Sequence, residues 1–334
     1  MATIYDVAKK SGFSIATVSK VVNNKSGVSN KTRKKIQNIM DELDYFPNMA
    51  ASALMGKNTK TIGLLIPDLS NPFFADLAKS IEIRAHDYGY NIIICSTEYN
   101  EEKERKYIML LKQKNIDGFV FVSGFENSIY IEKLLEQNFP LVAVARDFPN
   151  LEINSISLDD YRGGYQAASY LINNGHKNLV ILAHNVWSNR ERVRGFVDAS
   201  NAHEGVEFTE ILIDDITEGH VENGYNNTKH ILDTNIKFTG IFACSDLMAI
   251  GSMKAIKDSG LKIPDSISII GFDNSKFTKV SDPPLTTIVQ PLQDIGIEVM
   301  DLIIKNVNDK DMSKKRINLL PKILERDSVK KRTN

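Results

Sequence analysis

Along the first 45 residues, apolar positions recur at helical spacing in three short runs, each announced by a polar capping residue. Thr3 stands as N-cap with Asp6 at the third helical position before Val7 and Ala8, and Gly12 stops that helix. Ser14 caps a second helix whose Val18, Val21 and Val22 face inward, and Ser29 caps a third carrying Ile36, Ile39, Met40 and Leu43. The first two helices, joined by a turn of about three to four residues that holds a glycine, match a helix-turn-helix. From Thr61 the period changes to apolar runs of strand length alternating with helices, the pattern of a parallel sheet built from βαβ units.

That second pattern occurs twice. Strands are expected near 61–66, 91–95, 117–122 and 140–145, and again near 178–183, 210–214, 239–243 and 267–271, giving two Rossmann-like lobes. A further stretch at 286–290, a helix at about 292–306 and a terminal strand pair near 316–326 follow. The expected division is a head at 1–46, a hinge at 47–60 and a body at 61–334. Within the body, one lobe takes 61–158 and 291–318, the other 159–290 and 319–328, so the chain crosses between them several times and they act as halves of a clamp.

Charge changes the picture. The chain of 334 residues has 41 basic and 42 acidic residues, a balance that by itself argues against a nucleic-acid partner. Residues 1–60, however, hold ten Lys and Arg against four Asp and Glu, a net +6, and the whole-chain total of −1 leaves −7 for the remainder. The positive charge therefore sits on the predicted head. Only two cysteines occur, Cys95 and Cys244, each in an apolar strand-like run, which fits reduced, buried thiols and a cytoplasmic setting. The stretch after Met1 lacks the layout of a signal peptide, and no apolar run long enough to span a membrane is present.

In the second helix the face away from Val18 and Val21 carries Ile15, Ala16, Thr17 and Lys20. The major groove admits a helix, and the N-terminal residues of a recognition helix reach base edges first. Ile15 and Ala16 suit thymine methyls, and Lys20 suits guanine O6 or N7. Thr3, Tyr5, Ser14, Asn23, Ser29, Lys31, Arg33, Tyr45 and Asn48 are candidates for phosphate contacts, which set register without reading sequence. The competing reading is a three-helix cap on the body with ordinary solvated cations; agreement of capping, turn and charge weighs against it.

These residues carry a resemblance. Thr3-Ile4-Tyr5-Asp6-Val7-Ala8, Ser14 to Asn23, Val28-Ser29, Thr32-Arg33 and Tyr45-Phe46-Pro47-Asn48 closely resemble the LacI/GalR family of bacterial regulators, over essentially the whole chain. The recognition stretch is most similar to the catabolite-control branch, with Lys20 where Arg is usual; lysine lacks the rigid two-pronged fork, so discrimination at that base pair is expected to be looser. The resemblance implies that Pro47 to Gly56 is a hinge helix pairing with its partner's copy in the minor groove, with Leu54 as the wedge that unstacks the central step. So short a helix is marginal alone, and its folding would depend on DNA. Without the resemblance, a linker helix or coil with Leu54 packed on the body is an equal reading.

The fold class expected is thus an α/β body of two Rossmann-like lobes, similar to type I periplasmic binding proteins, with an all-α helix-turn-helix head. Asn71-Pro72-Phe73-Phe74 follows a predicted strand end, where ligands bind in open α/β sheets, and Phe73 and Phe74 suit either ring stacking or core packing. The resemblance places them at the cleft. Arg192, in Arg192-Val193-Arg194-Gly195-Phe196, and Asp273, in Gly271-Phe272-Asp273-Asn274, match family positions that bind polar ligand groups. A guanidinium and a carboxylate facing each other across the cleft would serve sugar hydroxyls, against a structural ion pair, or Arg190 or Arg194 as the donor. Trp187, the sole tryptophan, is either an aromatic platform for a sugar or a surface anchor. Arg146 matches a family position, although Ala145 replaces the frequent Asp; Asp159, Asp246 and Gln290 resemble positions near the lobe crossovers, with capping or surface roles as alternatives.

The partners expected are a near-palindromic double-stranded DNA operator, a small effector, preferably a sugar or sugar derivative, and a second copy of the chain in a homodimer. No catalytic residue, cofactor or metal site is expected: the usual local signatures of nucleotide, zinc-protease and serine-hydrolase chemistry are missing, and the six histidines are scattered. A purine or a protein corepressor are the alternatives to the sugar, the second disfavoured because Asp282 and Pro283 offer no basic docking patch. An exported sugar receptor would have an export signal and no basic head, and an enzyme on this fold would reveal itself by turnover.

Overall fold

The computed structural model describes residues 2–22, 25–45, 58–125, 128–215, 218–234, 236–309 and 312–332. Asn23, Asn48, Leu54 and most of the expected hinge lie outside the described residues. The chain forms two compact units, Met1–Thr59 and Lys60–Asn334.

The first unit contains α1 (Ile4–Ser11), α2 (Ile15–Val22) and α3 (Asn30–Glu42). Thr3 and Asp6 close a reciprocal cap on α1: the Thr3 amide donates to Asp6 Oδ2 at 2.8 Å, and the Asp6 amide to Thr3 Oγ1 at 3.4 Å. Gly12 ends that helix at φ 74°, a left-handed conformation that glycine adopts without strain. Val7, Ala8, Val18, Val21, Ile36 and Ile39 form the buried core of the three helices.

In the second unit, β1 (Thr61–Ile66), β2 (Asn91–Ser96), β3 (Gly118–Val122), β4 (Leu141–Val144), β5 (Asn154–Leu158) and β11 (Arg316–Leu319) make one sheet, in the order β11-β5-β4-β3-β1-β2, with every pair parallel. Helices α4 (Pro72–Asp87) and α11 (Leu292–Asn308) cover one face; α5 (Glu101–Gln113) and α6 (Ile129–Glu136) cover the other. Alternation along β3 serves both: Val120 and Val122 point to the first face, Phe119 and Phe121 to the second. Burial on both faces explains why these strands read as continuous apolar runs.

The second sheet runs β12-β10-β9-β8-β6-β7, from β6 (Asn178–His184), β7 (Glu207–Ile213), β8 (Gly240–Ala243), β9 (Ser268–Asp273), β10 (Thr286–Val289) and β12 (Lys322–Leu324). It is parallel except for β12, which runs antiparallel to β10. Helices α7 (Asp160–Asn173) and α8 (Trp187–Asn201) cover one face, α9 (His220–Leu232) and α10 (Asp246–Asp258) the other. Among the described residues, no helix is long and apolar enough to cross a membrane.

Three details differ from the sequence expectation. β5 is an additional strand, masked by its polar Asn154, Ser155 and Ser157, all buried. β7 begins at Glu207, upstream of the expected 210. The terminal strand pair is no pair: β11 joins the first sheet and β12 the second, so the short connection between them is a third passage between lobes, after those at 158–160 and 289–292.

Candidate functional site

Two surfaces carry chemistry, one in each unit. In the first, α2 presents Ile15, Ala16 and Lys20 to solvent, with Thr17 half-buried, while Val18 and Val21 anchor the opposite face. Ser14 Oγ accepts the Thr17 amide at 3.2 Å and shares a 2.9 Å hydrogen bond with the Thr17 hydroxyl; Ser29 Oγ accepts the Thr32 amide at 3.2 Å. These hydroxyls are committed to capping, which leaves backbone amides at both helix starts for an anion. Arg33 is half-buried and donates to the carbonyl of Lys25 at 2.8 Å and towards that of Val21 at 3.5 Å, so it ties the loop after α2 to α3. Thr3, Tyr5 and Lys31 are exposed and Tyr45 is half-buried.

In the second unit a cleft lies between the two sheets, at the carboxyl ends of their strands. Phe73 and Phe74 come from the start of α4, which Asn71 caps by accepting the Phe73 amide at 3.0 Å. Their rings meet edge to face with centroids 5.0 Å apart, one wall of the cleft. Opposite stand His184 at the end of β6, Ser188, Asn189 and Arg192 on α8, His220 at the start of α9 and Asp273 at the end of β9.

Arg192 is held rigidly. Nε donates to Asp160 Oδ1 at 2.7 Å, an Nη donates to the Cys244 carbonyl at 2.7 Å, and the guanidinium stands 3.5 Å from the Phe272 ring centre. The sequence expectation of Arg192 facing Asp273 across the cleft is corrected here. Both belong to the second lobe, and the carboxylate bonded to Arg192 is Asp160, which is almost wholly buried with it.

Asp273 is pushed up to about 7, because burial disfavours the carboxylate, while nearby Arg192 and a 2.7 Å hydrogen bond from Gln290 Nε2 oppose the shift. Its φ of 114° is a strained conformation for a residue with a side chain. Asp246 lies behind it with no exposed surface, receiving the Thr287 hydroxyl and the Ser275 amide, each at 2.6 Å. Burial first, then the charge of Asp273, holds Asp246 well above the ordinary carboxylate range. The two histidines are neutral: burial lowers His184 to about 3 and His220 to about 4. Asn223 Nδ2, which also donates to the Asp215 carbonyl, donates to His184 Nε2 at 3.0 Å, so the neutral ring carries its proton on Nδ1.

Of the residues singled out in the sequence, Phe73, Phe74, Arg192 and Asp273 meet in this cleft, as does Gln290. Asp246 supports Asp273 from behind and is not among the residues that line the cleft. Arg146 is not among the lining residues; its guanidinium lies 4.9 Å from the Phe148 ring centre. Trp187 borders a different hollow. Asn71, Tyr99, His184, Ser188, Asn189, His220 and Ser245 were missed, although His184 and Ser245 sit at or just after strand ends, the signal that located Phe73.

Comparison with known proteins places both surfaces in context. Residues 3–48 match the family described as bacterial regulatory proteins, lacI family, and residues 59–324 match periplasmic binding proteins and sugar binding domain of LacI family. The chain is 41% identical over 332 residues to the HTH-type transcriptional regulator DegA of Bacillus subtilis (strain 168), covering 98% of each. It is similar to the crystal structure of the lac repressor dimer bound to operator and the anti-inducer ONPF, with a TM-score of 0.86 at 26% identity over 98% of this chain and 99% of that one. A LacI family transcriptional regulator from Enterococcus faecalis V583, solved with bound ribose, aligns with a TM-score of 0.72 at 30% identity, over 82% of this chain and all of that one.

Proposed function

Because the chain belongs to the LacI family of bacterial regulatory proteins, we infer that it is a sequence-specific DNA-binding transcription regulator whose operator affinity is set by a small effector between its lobes. The observation that carries this reading is the presence, on one chain, of a capped recognition helix with an exposed Ile15-Ala16-Lys20 edge and a two-lobed body with a polar, aromatic-walled cleft.

In this reading Ile15, Ala16, Thr17 and Lys20 contact bases, while Thr3, Tyr5, Lys31, Tyr45 and the helix-start amides at Ser14 and Ser29 take phosphates. Asn23, Asn48 and the wedge Leu54 complete the contact set on the sequence resemblance alone. The head is residues 1–46, the hinge 47–60 and the body 61–334, with the lobe partition given by the sequence. Two copies form a homodimer on a near-palindromic operator, as in the operator-bound lac repressor dimer. The protein works as a repressor in the cytoplasm and catalyses no reaction.

The effector is an uncharged sugar. Of the cleft groups, Arg192 is already bonded to Asp160, both imidazoles are neutral and Asp273 is acidic, so no cation is left over for a phosphate, whereas carboxylate, amide, imidazole and hydroxyl groups suit sugar hydroxyls. The bound ribose of the Enterococcus faecalis relative supports the same class. The test is selection of a preferred duplex from a randomised library by the intact protein, followed by binding titrations with ribose and other monosaccharides. A salt-sensitive, sequence-selective complex whose affinity changes with one sugar is expected; sequence-blind binding unaffected by every sugar refutes the reading.

A further inference from the structure

Tyr99 stands between β2 and α5, on a segment whose course is fixed from both ends. The Thr97 amide donates to the Ile66 carbonyl at 2.8 Å and the Glu98 amide to the Pro67 carbonyl at 2.7 Å, which ties the segment to the end of β1. On the other side Asn100 caps α5, accepting the Lys103 amide at 2.9 Å. Between these anchors Glu98 and Tyr99 both take left-handed backbone conformations, with φ 54° and 52°. A bulky residue is held there only where its surroundings dictate it, and such strain gathers at ligand sites. Ser123 and Ala145, which follow β3 and β4, have φ 52° and 55° and line the cleft as Tyr99 does. Three strand-end segments of the first lobe thus meet the cleft in strained conformations.

What Tyr99 brings to the cleft is a hydroxyl with nothing to bond. Among the described residues it makes no hydrogen bond. It is not sealed in the interior, since Tyr99 lines the cleft and its hydroxyl retains accessible surface. The carboxylates near it are engaged elsewhere: Asp68 Oδ1 accepts the amide and the hydroxyl of Ser70, each at 2.7 Å, and Asp273 Oδ1 accepts Gln290 Nε2 at 2.7 Å. Burial first, then the charges of Asp68 and Asp273, push the Tyr99 phenol up, so at neutral pH it is a protonated donor.

A phenol on one lobe and a carboxylate oxygen, Asp273 Oδ2, on the other are joined by a group that accepts from the first and donates to the second. A hydroxyl does both; a carbonyl oxygen only accepts, and a deoxy position does neither. We propose that Tyr99 is the first lobe's specificity-determining contact, and that one hydroxyl of the effector bridges it to Asp273 of the second lobe. This rests on the reading of the cleft as the effector site and adds to it the contact that draws the lobes together. Because the bridged hydroxyl is shared, its binding favours the closed arrangement over any in which the lobes part.

The experiment is calorimetric titration of the full-length protein with ribose, xylose, glucose and galactose, in wild type, Tyr99→Phe, Asp273→Asn and the double variant. Tyr99→Phe keeps the ring and removes the hydroxyl alone. For a sugar that binds wild type, Tyr99→Phe is expected to weaken binding about tenfold, and Asp273→Asn by about tenfold or more. Since both residues act on one hydroxyl, the double variant should be weaker than Asp273→Asn by much less than about a further tenfold. The sugar-free Tm of Tyr99→Phe should match or exceed that of wild type, because the deleted hydroxyl had no partner to lose. Undiminished affinity in Tyr99→Phe overturns the proposal, as do losses that multiply in the double variant, or a marked fall in the sugar-free Tm, which would make the hydroxyl structural. Failure of all four sugars to bind wild type is a different result: it refutes the sugar reading of the cleft, and this contact with it.

Discussion

Asn71 Nδ2 lies 3.5 Å from His220 Nε2, joining the cap of α4 in the first lobe to the start of α9 in the second. His220 Nδ1 lies 3.1 Å from Ser245 Oγ, so a neutral ring with its proton on Nδ1 satisfies both neighbours, donating to Ser245 and accepting from Asn71. Protonation would turn that acceptor into a donor facing another donor.

This gives a pH prediction with a definite sign. His176, His184 and His220 are lowered to about 4, 3 and 4 by burial, whereas in the unfolded chain they titrate near 6.5. Between those values the unfolded state binds more protons, so these histidines make the body less stable as pH falls through that window. Asp273 acts oppositely: raised from 3.8 to about 7, its stabilising contribution is present at low pH and lost as pH rises through about 7. His220→Gln, which keeps an acceptor but cannot titrate, should shrink the acid-side loss of Tm relative to wild type, as measured by circular dichroism melts.

Effector affinity should also depend on pH, through Asp273. Sugar hydroxyls donate more strongly to a carboxylate than to a carboxylic acid, so affinity should rise as pH increases through about 7. Asp273→Asn should weaken binding by about 1.5–3 kcal/mol above that pH and flatten the profile, as read by calorimetric titration.

Gly195 sets the position of Arg192. A Cβ on Gly195 would stand 1.9 Å from the Tyr161 carbonyl, and one on Gly164 1.8 Å from the Arg192 carbonyl, so α7 and α8 touch backbone to backbone. Gly195→Ala should force the helices apart at a cost of about 1–3 kcal/mol or more. Loss of Tm together with weaker effector binding, and retained DNA binding by the head, would be the signature.

On DNA, Lys20→Ala should cost about 1–3 kcal/mol and relax preference at one base pair in each half-site. A binding series across single-base operator variants checks it. Lys31→Ala should instead weaken all sequences alike and reduce the salt dependence.

The parts legible in sequence were those with a local period or motif. The caps at Thr3 and Ser29, the apolar strands and the Arg192 and Asp273 motifs each declare themselves within a few residues. β5 did not, because Asn154, Ser155 and Ser157 interrupt its apolar run although all three are buried; of them, Asn154 Oδ1 accepts the Lys315 amide at 3.0 Å. His220 lacked any signal, since only the tertiary fold brings it to Asn71. Trp187 illustrates a different limit: five positions from Arg192, it lies about 140° around the helix, so two residues of one short motif serve separate recesses.

The three passages of the chain between its sheets have an evolutionary consequence. Because β11 completes the first sheet only after most of the second has been made, neither lobe is a contiguous stretch that recombination could exchange as a cassette. A chimaera that borrows one lobe from a relative needs three junctions placed in register, so new effector specificity in this architecture is reached more readily by point changes around the cleft than by shuffling.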